Sequence, residues 1–254
     1  MNRRISTSIS LSCLAIILFL FQLVSAKAQS FEDKGHNQIF KQSKFLFSVD
    51  GGLGYLIGNT KDAKNQMSNY GISDSDADDY YNRLKLGEHG GVSMYYYFFP
   101  QLALGVDYNL FATSSSVNGF LDPGDGWTHY YGPFEEKIYT SFVGLSVFQT
   151  QKLNEKWGMY GKFSLGAALY RNESLIIVSP LLITGKAPAV KGEFGFSYRL
   201  TDWVKLNAGV SYMFSSLQKI TVDDGINSSE IKLEGDSKEN ISRLNLSTGL
   251  QFSF

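Results

Sequence analysis

The chain has 254 residues, 23 basic against 24 acidic side chains, a mean hydropathy of −0.12 and a single cysteine. That charge balance gives no electrostatic case for nucleic-acid binding, and that hydropathy excludes a bundle of membrane helices. Aromatic residues make up 15%, with 15 Tyr, 19 Phe and 25 Gly against 5 Pro, a composition suited to strands, tight turns and membrane interfaces.

Arg3 and Arg4 precede an apolar run from Leu11 to Val24, and Ala26-Lys27-Ala28 follows it. The run is shorter than the ~20 residues of a membrane-spanning helix. A positive start, a short apolar stretch and an A-x-A site describe a secretory signal peptide over residues 1–28, with an earlier cut after Ala26 as the alternative. Cys13 lies at the start of the apolar run. Lipoprotein cleavage there would leave most of that run on the mature protein, so acylation of Cys13 is rejected. The mature chain then has no disulfide, thiol nucleophile or thiolate metal site. Residues 29–44 read as a short polar lead-in in the periplasm, and residues 45–254 as one β-domain.

That domain alternates. Phe45, Phe47, Val49, Leu53 and Tyr55 oppose Ser48, Asp50, Gly52 and Gly54. Val92, Met94, Tyr96 and Phe98 oppose Ser93, Tyr95 and Tyr97, and Leu102, Leu104, Val106, Tyr108 and Leu110 oppose Ala103, Gly105, Asp107 and Asn109. Residues 138–149 carry Val143, Leu145 and Val147, with Phe142 and Phe148 blurring the parity. Phe163, Leu165 and Leu169 oppose Lys162, Ser164 and Gly166; Val190, Phe194, Phe196 and Tyr198 oppose Lys191, Glu193, Ser197 and Arg199; Val204, Leu206, Val210 and Tyr212 oppose Lys205, Asn207 and Ser211. Finally Leu244, Leu246, Thr248, Leu250, Phe252 and Phe254 oppose Arg243, Asn245, Ser247, Gly249, Gln251 and Ser253. In a strand such sets face opposite ways, and about ten residues suffice for a tilted strand to cross a bilayer.

The connections alternate too. FPQL, TQKLNEKW and LTDW are short, whereas residues 58–86, 113–137, 171–187 and 215–240 read as long loops. Short periplasmic turns and long extracellular loops are the organisation of an outer-membrane barrel. An even strand number lets the first and last strands pair, and closure removes the edges that lipid cannot satisfy. The expected fold is all-β: an eight-stranded antiparallel up-and-down transmembrane β-barrel. Tyr96, Phe98, Trp157, Tyr198 and Trp203 fall near the short turns as an aromatic girdle. Tyr55, Tyr108, Tyr139, Tyr170 and Tyr212 fall near the long loops, with an inward position as the alternative for Tyr170.

The signal peptide, four hairpins and terminal Phe254 resemble the small eight-stranded outer-membrane barrels of Gram-negative bacteria, the OmpA/OmpX type. The resemblance covers about residues 45–254 and concerns architecture. It implies an outer-membrane location, a surround of outer-membrane lipids, and recognition of the C-terminal strand by the barrel assembly machinery. Unlike full-length OmpA-like proteins, no peptidoglycan-binding domain is expected after the barrel.

The inward parity collects Asp50, Asp107 and Glu193 with Lys162, Lys191, Arg199, Lys205 and Arg243. An eight-stranded barrel is just wide enough for its side chains to fill. The expectation is a plug of ion pairs, and the alternative a narrow, slightly anion-preferring channel. In the first long loop Asp74, Asp76 and Asp78 have D-x-D-x-D spacing, but Asp79 and Lys85 stand where a calcium loop needs Gly and Glu, so a solvated acidic loop is expected. DPGDGW over 122–127 reads as a turn. The four long loops hold ten basic and sixteen acidic residues, which makes the outer face acidic and open to cation-bridged contact with lipopolysaccharide or to a basic surface protein.

SLIIVSPLLITG over 174–185 is nearly all apolar. It reads as strand extension or a flap, with Pro180 interrupting a continuous paired strand, or as an exposed partner-binding patch of Leu175, Ile176, Ile177, Leu181 and Leu182. A lipid-modifying enzyme would need Ser, His and an acid at the outer rim. His36 precedes the barrel, His89 sits at the outer end of strand two and His129 in a loop, and no motif joins them. No cofactor is expected, since no phosphate loop, metal cluster or nucleotide fingerprint occurs. The functional expectation is a structural or surface-interaction barrel.

Overall fold

The computed structural model describes residues 43–58, 60–122, 130–235 and 238–254. Residues 1–28, expected to be a signal peptide, nearly all of the expected lead-in, most of DPGDGW, and His36 and His129 lie outside the described residues. The alternating segments form β1 (Phe45–Leu56), β2 (Leu86–Phe99), β3 (Leu102–Leu121), β4 (Tyr130–Lys152), β5 (Trp157–Ile176), β6 (Ser179–Arg199), β7 (Val204–Leu217) and β11 (Arg243–Ser253). Each pairs antiparallel with its neighbours, and β11 bridges β7 and β1 to close an eight-strand ring. The closing seam runs from Leu46 opposite Ser253 to Leu56 opposite Arg243. Phe254 and Phe45 exchange backbone hydrogen bonds of 2.9 and 3.1 Å.

The outward parity is apolar and exposed: Val49, Leu104, Val106, Val143, Leu145, Leu165, Phe194, Val210 and Leu246 all face away from the ring. On β3 the apolar outward residues run from Leu102 to Leu110 and give way to Ser114, Ser116 and Asn118. About nine residues at ~3.4 Å rise and ~40° tilt give a band of roughly 20–25 Å, the height a bilayer requires. At the short-turn end Phe45, Tyr96 and Phe98 stack edge-on at 5.2 and 5.0 Å, and Trp157 meets Tyr198 at 5.0 Å. Together they form the lower aromatic girdle.

Two expected loops are largely strand. The pairing of β3 with β4 continues to Leu121 opposite Tyr130, and that of β5 with β6 to Ile176 opposite Ser179. Pro180 does not interrupt β6; it lies opposite Leu175. Pairing of β6 with its other neighbour starts only at Leu182, so Pro180 occupies an edge position, where proline is tolerated. Strands β3 to β6 have 20 to 23 residues, against 11 to 14 for β1, β2, β7 and β11. One side of the barrel therefore stands as a wall roughly 25–30 Å above the apolar band. A hairpin of β8 (Lys219–Asp223) and β9 (Ser228–Lys232) prolongs the wall beyond β6, and the short β10 (Glu239–Asn240) pairs with the end of β7.

The first long loop is helical. It forms α1 (Lys61–Met67), a 3-10 turn (Ser68–Tyr70) and α2 (Asp74–Lys85). Ser73 caps α2: its hydroxyl accepts from Asp76 N at 3.2 Å and donates to the Asp76 carboxylate at 2.7 Å. Asp74 and Asp76 occupy the first turn, where the helix dipole favours acids. The D-x-D-x-D spacing is thus a helix start, and Asp78 pairs with Lys64 of α1. Ala77, Tyr80, Tyr81 and Leu84, at helical spacing, are buried and pack with Met67, Ile72, Phe134, Ile138 and Ile177 against the inner face of the wall. Thr113 of β3 donates to the carbonyls of Leu86 (2.8 Å) and Arg83 (3.3 Å), which ties the end of α2 to the wall.

Candidate functional site: a filled lumen beneath an upper chamber

The interior is built in layers by the inward parity. Lowest is an aromatic layer. Leu46, Tyr95, Ala103, Phe148 and Tyr160 are buried together, with ring centroids of Tyr95 and Phe148 at 5.0 Å and of Phe148 and Tyr160 at 5.8 Å. Phe148, which blurs the alternation in the sequence, is a lumen residue. Above it lies the ionic layer. Lys162 reaches Glu193 at 3.0 Å, and Lys191 reaches Asp107 at 3.0 Å and Glu193 at 3.6 Å; all four side chains are 3% exposed or less. Tyr160 donates to Glu193 at 3.1 Å, and Ser164 to Asp107 at 3.2 Å.

One turn of side chains higher, Arg243 leaves β11 and donates to the Thr140 carbonyl of β4 at 2.9 Å. These strands are opposite in the ring, so this single side chain crosses the whole lumen. It also binds the Asn109 side chain, and its guanidinium lies 5.3 Å from the Phe111 ring. Phe111 has room because Gly87 faces it; a Cβ there would come within 2.7 Å of the ring. Asn109 meets His89 Nδ1 at 3.2 Å, and His89 Nε2 lies 3.3 Å from the Leu246 carbonyl. His89 is thus buried in the lumen, not displayed at the outer rim. Beside Arg243 and on toward the outer end, Phe142, Ala168, Ala189, Met213, Leu217 and Ile241 form an apolar cluster.

Of the eight residues expected in the lumen, six are buried: Asp50, Asp107, Lys162, Lys191, Glu193 and Arg243. Asp50 lies over Gly91, where a Cβ would come within 3.0 Å of its carboxylate. The other two correct the expectation. Arg199 is exposed and Lys205 half-buried, opposite each other at the lower end of β6 and β7, where inward parity opens into solvent. The buried set is then three anions and three cations, and the cationic excess that suggested anion preference is gone. The apolar 174–185 run follows its strand-extension reading and not the exposed-patch one. Leu175, Ile176, Leu181 and Leu182 are half-buried in the β5–β6 wall and Ile177 is buried, so the five do not form one exposed patch. Ile177 holds a left-handed φ of 60°, uncommon for a β-branched residue. Its N–H donates to the Pro133 carbonyl at 2.8 Å and its side chain packs into the cluster around α2.

Between the helical insert and the wall lies a chamber of about 290 Å³. Leu84 of α2, Ile138 of β4, Ile183 of β6, Leu217 of β7 and Ile220 of β8 supply apolar lining, and Glu136, Tyr170, Asn172 and Glu239 polar groups. Glu136 stands above the apolar band. Burial pushes its carboxyl above the usual range, hydrogen bonds to Asn172 and Tyr80 pull it down, and Glu239 pushes it further up. Burial, with Glu136 and Glu239 nearby, pushes the Tyr81 phenol up to about 12. Of Glu136, Tyr170, Asn172 and Glu239, only Tyr170 carries a sequence expectation, and it takes the inward alternative. The available signal was the Ala77-Tyr80-Tyr81-Leu84 periodicity, which marks a helix with something to bury against.

The chain is therefore an eight-stranded transmembrane β-barrel with a filled lumen and a one-sided wall. No protein-family model matches the sequence, and no curated protein matches it. Solved structures do. A major outer membrane protein from Thermus thermophilus aligns with a TM-score of 0.50 at 15% identity, covering 83% of this chain and 99% of that one. Neisserial surface protein A gives 0.46 at 16% identity, covering 85% and 100%. The outer membrane protease OmpT from Escherichia coli gives 0.46 at 9% identity, covering 86% and 99%. The Thermus thermophilus alignment bears on the fold alone, that of an outer-membrane barrel.

Proposed function

We propose that the protein is a closed, non-catalytic barrel of the Gram-negative outer membrane that acts through its extracellular side as a surface-interaction protein. The observation that carries this reading is Arg243, whose guanidinium spans the lumen from β11 to the Thr140 carbonyl of β4, directly above the paired Lys162, Glu193, Lys191 and Asp107. A diffusing ion would have to displace this lattice and then the aromatic layer beneath it. The short-turn end is assigned to the periplasm and the wall to the cell exterior. The apolar band sits in outer-membrane lipid, and β11 is the segment offered to the barrel assembly machinery. Above the membrane, the segments 58–86, 113–137, 171–187 and 215–240 carry sixteen acidic and ten basic residues. That surface suits a basic protein partner or lipopolysaccharide held through divalent cations. His89, occupied by Asn109 and the Leu246 carbonyl, offers no general base at the rim.

The test is conductance of the refolded mature chain in a planar bilayer, with a heat-modifiable gel shift to prove folding. The expected result is silence. Steady openings would overturn the closed reading and make Lys162, Lys191 and Arg243 candidates for lining a pore.

A further inference from the structure

We propose that the upper chamber is a binding site for a small organic cation, an ammonium group carried on an apolar body. The inference goes beyond the closed-barrel reading and does not rest on it. At about 290 Å³ the chamber has the size of the smaller ligand pockets, which run from ~300 Å³ upward and combine apolar walls with a few placed polar groups. It lies above Leu217 and Ile241, under α1 and α2. Leu84, Ile138, Ile183 and Ile220 would take an apolar body.

The polar groups choose the sign of charge. Glu136 and Glu239 both line the chamber, and neither forms an ion pair with a Lys, Arg or His among the described residues. Lys85 also lines the chamber but pairs with neither. An anionic guest would meet Glu136, half-buried and hydrogen-bonded to Asn172 and Tyr80, and Glu239, exposed on β10. A neutral guest would cover both carboxyls without supplying a counter-charge. An ammonium supplies the missing partner, and the rings of Tyr81 and Tyr170 on the same lining offer faces for the charge. A bare divalent metal fits poorly, because hard cations take six or more oxygen ligands and most of this lining is apolar.

The test uses the full mature chain refolded into phosphatidylcholine nanodiscs, so that no anionic lipid attracts the probe. Protonated 2-phenylethylamine is titrated at neutral pH by calorimetry or saturation-transfer NMR. Two probes of similar shape, 2-phenylethanol and 3-phenylpropionate, are titrated beside it. The expected result is saturable amine binding at least tenfold tighter than the alcohol, with weaker binding still for the anion. Glu136→Gln with Glu239→Gln should bring the amine to the level of the alcohol. Should that pair disturb folding, Ala63→Trp, placed at an exposed lining position of α1, should block the amine while leaving the gel shift intact. Equal affinity for amine and alcohol, unchanged binding in these variants, or no saturable amine binding by a folded barrel would each overturn the proposal.

Discussion

Glu193→Gln is the sharpest probe of the filled lumen, because it keeps shape and removes only charge. Glu193 is the partner of Lys162 at 3.0 Å and the second partner of Lys191 at 3.6 Å. The Lys162 and Glu193 side chains are 1% and 2% exposed. After the substitution Lys191 keeps Asp107, but Lys162 loses its ion pair and is left buried with only the more distant Asp50. Breaking one side of a buried pair costs about 3–5 kcal/mol, mostly the desolvation of the abandoned charge. Since every ~1.4 kcal/mol is tenfold, the unfolding equilibrium should shift by about two to three and a half orders of magnitude. The double variant Lys162→Met with Glu193→Gln removes the stranded charge, and should recover most of the loss. Urea unfolding in lipid vesicles, followed by tryptophan fluorescence and the gel shift, measures both. If Glu193→Gln came within ~1 kcal/mol of the native chain, the magnitude expected for solvated pairs, the lumen would be wet and the reasoning that closes the barrel would fail.

Two further outcomes are expected. Leu246→Arg places a charge on an outward position that is 63% exposed and sits mid-strand in β11; it should cost ~2–4 kcal/mol and lower refolding yield in vesicles, whereas Ser114→Arg, outward on β3 above the apolar band, should not, and equal yields would misplace the band. The second concerns pH. Glu136, facing Tyr80, Asn172 and Glu239, has a raised carboxyl pKa with α2 docked and an ordinary one once α2 lifts away. In the window between the ordinary and raised values the docked state holds a proton that the open state lacks, so docking weakens as pH rises through it. Hydrogen exchange of the α2 amides, corrected for intrinsic rates, should show more protection at the acid end, and Glu136→Gln should remove the trend.

The ring was legible in the sequence because its physics is local. Lipid demands an apolar outward face and a tilted strand a fixed length, so Leu244, Leu246, Leu250 and Phe252 against Arg243, Asn245, Ser247 and Gln251 specify both β11 and its orientation. The six buried charges followed from the same parity. Parity does not say where along its length a strand leaves the lumen, which is why Arg199 and Lys205 were placed with them. The wall was legible only in part: strand extension was one reading of 174–185, but 113–137 reads as a loop. Above the membrane no apolar outward face is required, so Ser114, Ser116 and Asn118 look like loop although they pair through to Leu121. In the first loop the D-x-D-x-D spacing of a calcium loop coincides with the acidic first turn of a helix. Its Ser73 cap and the Ala77, Tyr80, Tyr81, Leu84 stripe are ordinary helix signals.

The wall and the helical insert require each other. Four strands prolonged above the membrane present an inner face that lumen packing no longer covers. On that face are Val117, Phe134, Ile138, Tyr170 and Ile177, which left in water would make a large apolar patch. Conversely α1 and α2, of 7 and 12 residues, are too short to be stable alone and gain their stability from the tyrosine stripe buried on the wall. The left-handed Ile177 shows the same dependence. The conformation costs roughly 1–2 kcal/mol in an L-residue, and burying the side chain against the insert returns about 1.5–3 kcal/mol, so the turn is favourable only with the insert in place. The chamber lies between these two dependent parts, and its lining comes from both. On the proposed reading, a guest in the chamber would bear directly on how the insert sits against the wall, and the outer side could respond to it without opening the lumen.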